Sequence, residues 1–231
     1  MSRLKNLLIL KASEDIHKAE VNNIQSQVEL YGIEVTVVDA ITNDDIQAAL
    51  FRNISYDYIY LATHGCEDSW GNISGTIDMT WIEFAAHVCA SGVSKPGAIF
   101  LHSCCRGGLE KVGYDMFACC EKIQLVCGPR FNAKPHDLVM AFNLFLYNIE
   151  VKGVDPIVSA QKVLNAIDMR LHCMDRLEYI HKPSFGEHCR INNKAIQDAF
   201  ESHLSPHIFE ALNDQSEVKR VLRGLDIAKN R

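Results

Sequence analysis

The sequence predicts an α/β fold: a mostly parallel central sheet flanked by helices, with a helical C-terminal extension. Three observations lead there. Apolar, β-branched runs of strand length alternate with helix-length segments over residues 6–128. Each run is separated from the next by enough chain to return for a parallel neighbour. Two of the runs lead into glycine-containing turns. Tyr58-Ile59-Tyr60-Leu61 continues into Ala62-Thr63-His64-Gly65, and Ala98-Ile99-Phe100-Leu101 leads to Ser103-Cys104-Cys105-Arg106-Gly107-Gly108.

In chain order, residues 6–11 read as a buried strand and 14–31 as a helix opened by Glu14 and Asp15. The β-branched run 33–39 is the second strand. A helix over 43–52 takes Asn43 as its cap. The third strand is 57–63, ending at the His64-Gly65 turn. Polar, glycine-containing residues from Cys66 to Met79 predict a loop carrying a short hairpin. Thr80 and Glu83 have the spacing of a capping box for a helix over 81–91. Pro96-Gly97 marks a turn into a fourth strand, 98–103. A helix from after Gly108 to about Lys122 and a fifth strand, 123–128, follow, then helices over 136–149 and 155–172. The expected organisation is one main domain, 1–173, and an extension, 174–231, that is irregular to about 190, then helical, and packs on the same domain.

Composition narrows the class. Of 231 residues, 48% are hydrophobic and 23% charged, which supports a sizeable core. A formal charge of −6 argues against a nucleic-acid partner, which usually requires a basic patch. No apolar run is long enough for a membrane span, and the N-terminal segment reads as a first strand with no signal peptide. The nine cysteines include two adjacent pairs and no Cys-x-x-Cys. That pattern predicts reduced thiols in a cytoplasmic protein, most of them small buried hydrophobes.

In an open parallel sheet, ligands collect beyond the carboxyl ends of the strands. A histidine and a cysteine ending two such strands are a candidate base and nucleophile: His64 and Cys105. Cys105 stands at the start of a helix, where the macrodipole favours a thiolate. The backbone N–H groups of Gly65 and Cys105 are the candidate oxyanion hole. No third, acidic residue is required, because a backbone carbonyl can orient His64, and the sequence offers no obvious candidate.

Ser103-Cys104-Cys105-Arg106-Gly107 resembles the caspase signature Gln-Ala-Cys-Arg-Gly, with a histidine upstream (about 50 residues in caspases, somewhat fewer here). The same run is similar to the Ser-Ala-Cys-x-x-Gly pattern of CHAT-domain proteases and separases. Both alignments place the nucleophile on Cys105 and leave Cys104 in the alanine slot, a buried small residue. Ala141-Phe142-Asn143-Leu144-Phe145-Leu146-Tyr147, Gly153, Ser159-Ala160 and Ala166 fit the helices that follow in CHAT-like chains. The resemblance covers roughly residues 5–172. A tryptophan-containing stretch expected after the fifth strand is replaced by Gly128-Pro129-Arg130-Phe131-Asn132.

The resemblance implies a caspase-like sandwich and a cysteine endopeptidase that works through a thioester. It implies no cofactor, a protein or peptide substrate, and gating by an activating ligand, a partner protein or self-association. A bacterial stress or antiphage defence effector is the role it suggests. Arg106 and Arg130 become candidates for holding an acidic substrate side chain, and Asp137 for a basic one. The alternative is a catalytically silent protein-binding module of the same fold; a thiol hydrolase or amidotransferase would more often use a Gly-x-Cys-x-Gly elbow, which the chain lacks. His172-Cys173, His181 and His188-Cys189 match no common zinc spacing, so no metal is expected. Ile196, Phe200, Leu204, Ile208 and Leu212 form a stripe for packing or for docking a regulator.

Overall fold

The computed structural model describes residues 4–104 and 109–202. In chain order the first elements are β1 (Asn6–Lys11), α1 (Lys18–Glu29), β2 (Glu34–Asp39), α2 (Asn43–Leu50) and β3 (Tyr56–Ala62). Three short strands follow, β4 (His64–Gly65), β5 (Ser69–Gly71) and β6 (Asp78–Thr80), and then α3 (Trp81–Ser91) and β7 (Ser94–His102). The rest are α4 (Glu110–Cys119), β8 (Ile123–Pro129), α5 (Pro135–Glu150), α6 (Pro156–Ile167), β9 (Leu171–Asp175), α7 (Arg176–Tyr179) and α8 (Pro183–Ser202).

The inner strands are apolar on both faces, which places them in a parallel sheet with helices above and below. The six strands run in the order β2-β1-β3-β7-β8-β9, all parallel except β9, which runs antiparallel to β8. Alternation along each strand divides the core in two. Leu8, Leu10, Ile59, Leu61, Phe100 and Val126 face the layer of α2, α3, α4 and α8. Leu7, Ile9, Tyr58, Tyr60, Leu101 and Leu125 face α1, α5 and α6. The expected coarse class, a mostly parallel sheet flanked by helices, is what the chain forms.

Several boundaries differ from expectation, each for a local reason. Glu14 and Asp15 precede α1 rather than open it; His17 is the N-cap, its ring accepting from the Ala19 amide. Thr42, not Asn43, caps α2, in a reciprocal box with Asp45. The box of Thr80 and Glu83 forms as expected. Pro96 and Gly97 lie inside β7, not before it. Gly97 takes φ +84°, its amide and that of Ala98 both donate to the Lys122 carbonyl, and the register slips there, so the pair forms a bulge. The helix expected over 155–172 stops at Asp168, in a left-handed conformation, and the chain returns as β9. Residues 174–190 are not irregular, because β9 ends in them, α7 follows and α8 begins at Pro183.

α8 lies on α3 and α4. Ile196 and Phe200 of the expected stripe are buried in it, while Leu204, Ile208 and Leu212 lie outside the described residues. His188 is 2.7 Å from Asp115 of α4, whose carboxyl burial pushes up despite that partner. No helix among the described residues is long and apolar enough to cross a membrane.

Strand order positions the site. From β1 the chain moves outward to β2 through α1 on one face. It then returns past β1 to β3, whose continuation leads to β4–β6 and α3 on the other face. Departing chains therefore diverge between the carboxyl ends of β1 and β3, the switch point where parallel sheets open a crevice.

Candidate active site

The sheet ladder continues past its regular strands and brings three chain stubs together at this edge. The Ala12 amide donates to the Ala62 carbonyl at 2.8 Å, and the Ser103 amide to the Leu61 carbonyl at 3.0 Å. The Ser103 hydroxyl accepts from the Thr63 amide and donates to the Thr63 carbonyl, both at 3.0 Å. Thr63 precedes His64, and Ser103 stands two residues before Cys105. One serine thus clasps the stub carrying the candidate base to the stub leading to the candidate nucleophile. Cys104 is fully buried in the α3–α4 face of the core. Cys105 and Arg106 lie outside the described residues.

His64 has a partner that the sequence reading did not supply. Its Nε2 lies 2.9 Å from both carboxylate oxygens of Asp15, in the turn after β1. The Ser13 hydroxyl donates to Asp15 Oδ1 at 2.6 Å. That bond first, and His64 after it, hold the Asp15 carboxyl below the usual range. The pair is open to solvent, with side chains 53% and 41% exposed. An anion on Nε2 selects the tautomer protonated there and leaves Nδ1 to exchange a proton with a reacting group. Nδ1 has no hydrogen-bond partner among the described residues. The sequence shows no obvious acidic partner for His64, and the structure places Asp15 there. The available signal was positional: Asp15 follows the strand beside β3, but that adjacency requires the strand order.

Beside His64, β4–β6 fold into a small antiparallel sheet that walls a cavity of about 390 Å³, lined among others by His64, Gly65, Trp70, Asn72 and Ile77. Trp81 braces it from below, donating its indole N–H to the Cys66 carbonyl at 2.9 Å. Gly65 is required by close approach: a Cβ there would lie 2.8 Å from Trp70 Cβ and 2.9 Å from the Ser69 carbonyl oxygen. Gly65→Ala is expected to destabilise the chain by about 1–3 kcal/mol, read as a lower urea midpoint at unchanged slope.

A second buried group lies under the same edge. Glu20, in the first turn of α1, is 5% exposed, and its Oε1 accepts from the Tyr60 hydroxyl at 3.3 Å. Burial pushes the Glu20 carboxyl up, against the smaller effect of Tyr60. A carboxyl raised by folding stabilises the fold at pH below its unfolded value, and that contribution is lost as pH rises through the folded value. Glu20→Gln keeps the acceptor for Tyr60 and removes the charge. It is expected to raise the Tm by a few degrees at pH 8, with the gain vanishing at pH 4, in paired thermal melts.

Arg130 and Asp137, the expected substrate-binding residues that the structure describes, lie away from His64. Arg130 lines a cavity between α6 and the start of β9, and Asp137 lines a neighbouring one with Phe131 and Arg170; neither cavity includes His64. His172 pairs with the Tyr179 hydroxyl at 3.1 Å and His188 with Asp115. No group of three or more potential metal ligands occurs among the described residues.

No protein-family model matches the chain, and no curated protein matches it significantly.

Proposed function

We propose that the chain is a cysteine endopeptidase of the caspase and CHAT-like kind, with His64 and Cys105 as its catalytic pair. The observation that carries this reading is the Asp15–His64 pair at the switch-point crevice, where Ser103 ties the His64 stub to the segment leading into Cys105. An imidazole held by a carboxylate through one nitrogen, with the other nitrogen free to act, is built for proton transfer. The Ser103–Arg106 signature supplies the thiol, and an α/β sheet of this arrangement is what the resemblance implies.

The steps follow from these parts. His64 takes the Cys105 proton, and the thiolate attacks the scissile carbonyl carbon, forming a C–S bond. Backbone N–H groups of Gly65 and Cys105 receive the charge that develops on the carbonyl oxygen. His64 returns the proton to the amine as the C–N bond breaks, leaving a thioester. Water, deprotonated by His64, then attacks the thioester, and the C–S bond breaks to release the acid and the thiol.

The covalent intermediate gives the test. A peptide ester substrate is mixed with the chain, quenched in acid within the first turnovers and weighed as intact protein. An acyl adduct that maps to Cys105 and is released by hydroxylamine is the expected result. Product formation without any cysteine adduct, or an adduct on another cysteine, overturns the proposal.

A further inference from the structure

At the far end of the same sheet edge, β8 ends and β9 begins at two arginines that stand opposite each other. Pro129 is in register with Leu171, and the Arg130 amide donates to the Arg170 carbonyl at 3.4 Å, so the two arginines occupy the next rung. Like charges directly opposite on an antiparallel pair repel. Neither guanidinium has a carboxylate partner among the described residues. Asp137 and Asp168 line the adjoining cavity with Arg170 but form no ion pair with it. Arg170 lies 5.9 Å from the Phe131 ring centroid, within reach of a cation–π contact.

Both arginines open onto a cavity of about 310 Å³, a size at the lower end of small-molecule sites. One wall is a single face of α6, formed by Ile157, Ala160, Gln161 and Leu164 at helical spacing, and Leu171 and His172 of β9 line the cavity as well. Three of those four residues are apolar, and Ile157 is left exposed to solvent. The thiol of Cys173 also borders the cavity, but burial raises its pKa well above the usual range, so it is no nucleophile there. The cavity therefore combines a doubly cationic mouth with an apolar wall, and it shares no lining residue with the cavity at His64.

We propose that this cavity binds a small amphipathic anion, a carboxylate or phosphate monoester on a short apolar chain. The oxyanion bridges Arg130 and Arg170, which form charge-assisted bonds suited to such groups, and the chain lies along α6. Binding replaces the repulsion between the guanidiniums with attraction to a shared partner. Arg130, expected from sequence to hold a substrate side chain, serves this separate site instead, and the proposal does not depend on peptide hydrolysis.

Calorimetric titration of the full chain with hexanoate and with hexyl phosphate tests it, with hexan-1-ol and inorganic phosphate as half-ligands. Saturable 1:1 binding of at least one of the two anions is expected, and the tighter one identifies the head group. Each half-ligand should bind at least about tenfold more weakly, and R130Q/R170Q should weaken the anion by about tenfold or more. The double variant removes a like-charge pair and should melt no lower than the parent. Leu164→Glu, which sets a carboxylate on the apolar wall, should give the same loss from the opposite side. Absence of saturable binding by either anion overturns the proposal. So does equal binding by the double variant or by Leu164→Glu, or inorganic phosphate binding as tightly as hexyl phosphate.

Discussion

Cys105→Ala and His64→Ala should each reduce peptide cleavage by at least about 10³-fold, while the chain stays folded. The size follows from their roles. Removing a nucleophile or its base eliminates the covalent route, and only residual stabilisation of the transition state remains. The two losses should also fail to add, because in the proposed mechanism both residues serve one proton and one bond. His64 is half-exposed at a strand end, so truncation leaves no buried hole there and the thermal transition should move little. Cleavage of a peptide library, followed by mass spectrometry of the new termini, measures the effect. Full cleavage by Cys105→Ala would remove the thiol from the reaction.

Asp15→Asn is the second large effect. A carboxylate behind a catalytic imidazole fixes its tautomer and steadies the imidazolium, and an amide in its place can present the wrong partner. In a buried triad such a change costs about 10⁴-fold in kcat. The Asp15–His64 pair is open to water, which partly replaces the lost carboxylate, so a loss of about 10–100-fold in kcat is expected here, with KM nearly unchanged. Exposed ion pairs contribute little to stability, so the melting temperature should hardly shift. A fall in both Tm and KM-limited binding would instead make Asp15 a structural residue. The pH dependence has a definite sign. Because the folded carboxyl is lowered by Ser13 and His64, the contribution of the Asp15 carboxylate to the rate persists below the usual carboxylate range. It disappears as pH falls through the lower, folded value. The rate difference between wild type and Asp15→Asn should therefore narrow only in acid.

Much of this arrangement was legible in residue order, and the parts that were not share a cause. Runs such as Leu7–Leu10 and Tyr58–Ala62 name themselves as strands because they are buried on both faces. The Thr80–Glu83 box is local chemistry and reads directly. Near Thr42, two possible caps stand side by side, and only the geometry selects the residue that reaches Asp45. β9 escaped because Asp168 stops a helix without glycine or proline, and Leu171–Asp175 continues an apolar rhythm that a helix would also show. His64 could be found from its strand end and glycine. Asp15 could not, because its meeting with His64 depends on β1 lying beside β3, a pairing between segments about fifty residues apart. The same holds for Arg130 and Arg170, joined only once β9 exists.

The central claim is that Cys105 is a thiolate nucleophile served by His64, and its reactivity tests this most directly. The chain is treated with a substoichiometric alkylating electrophile at pH 7, and each cysteine is quantified by peptide mapping. Cys105 should be modified first and far faster than the other eight cysteines, and His64→Ala should slow it towards their rate. Uniform slow labelling of all nine, unchanged in His64→Ala, would contradict the account.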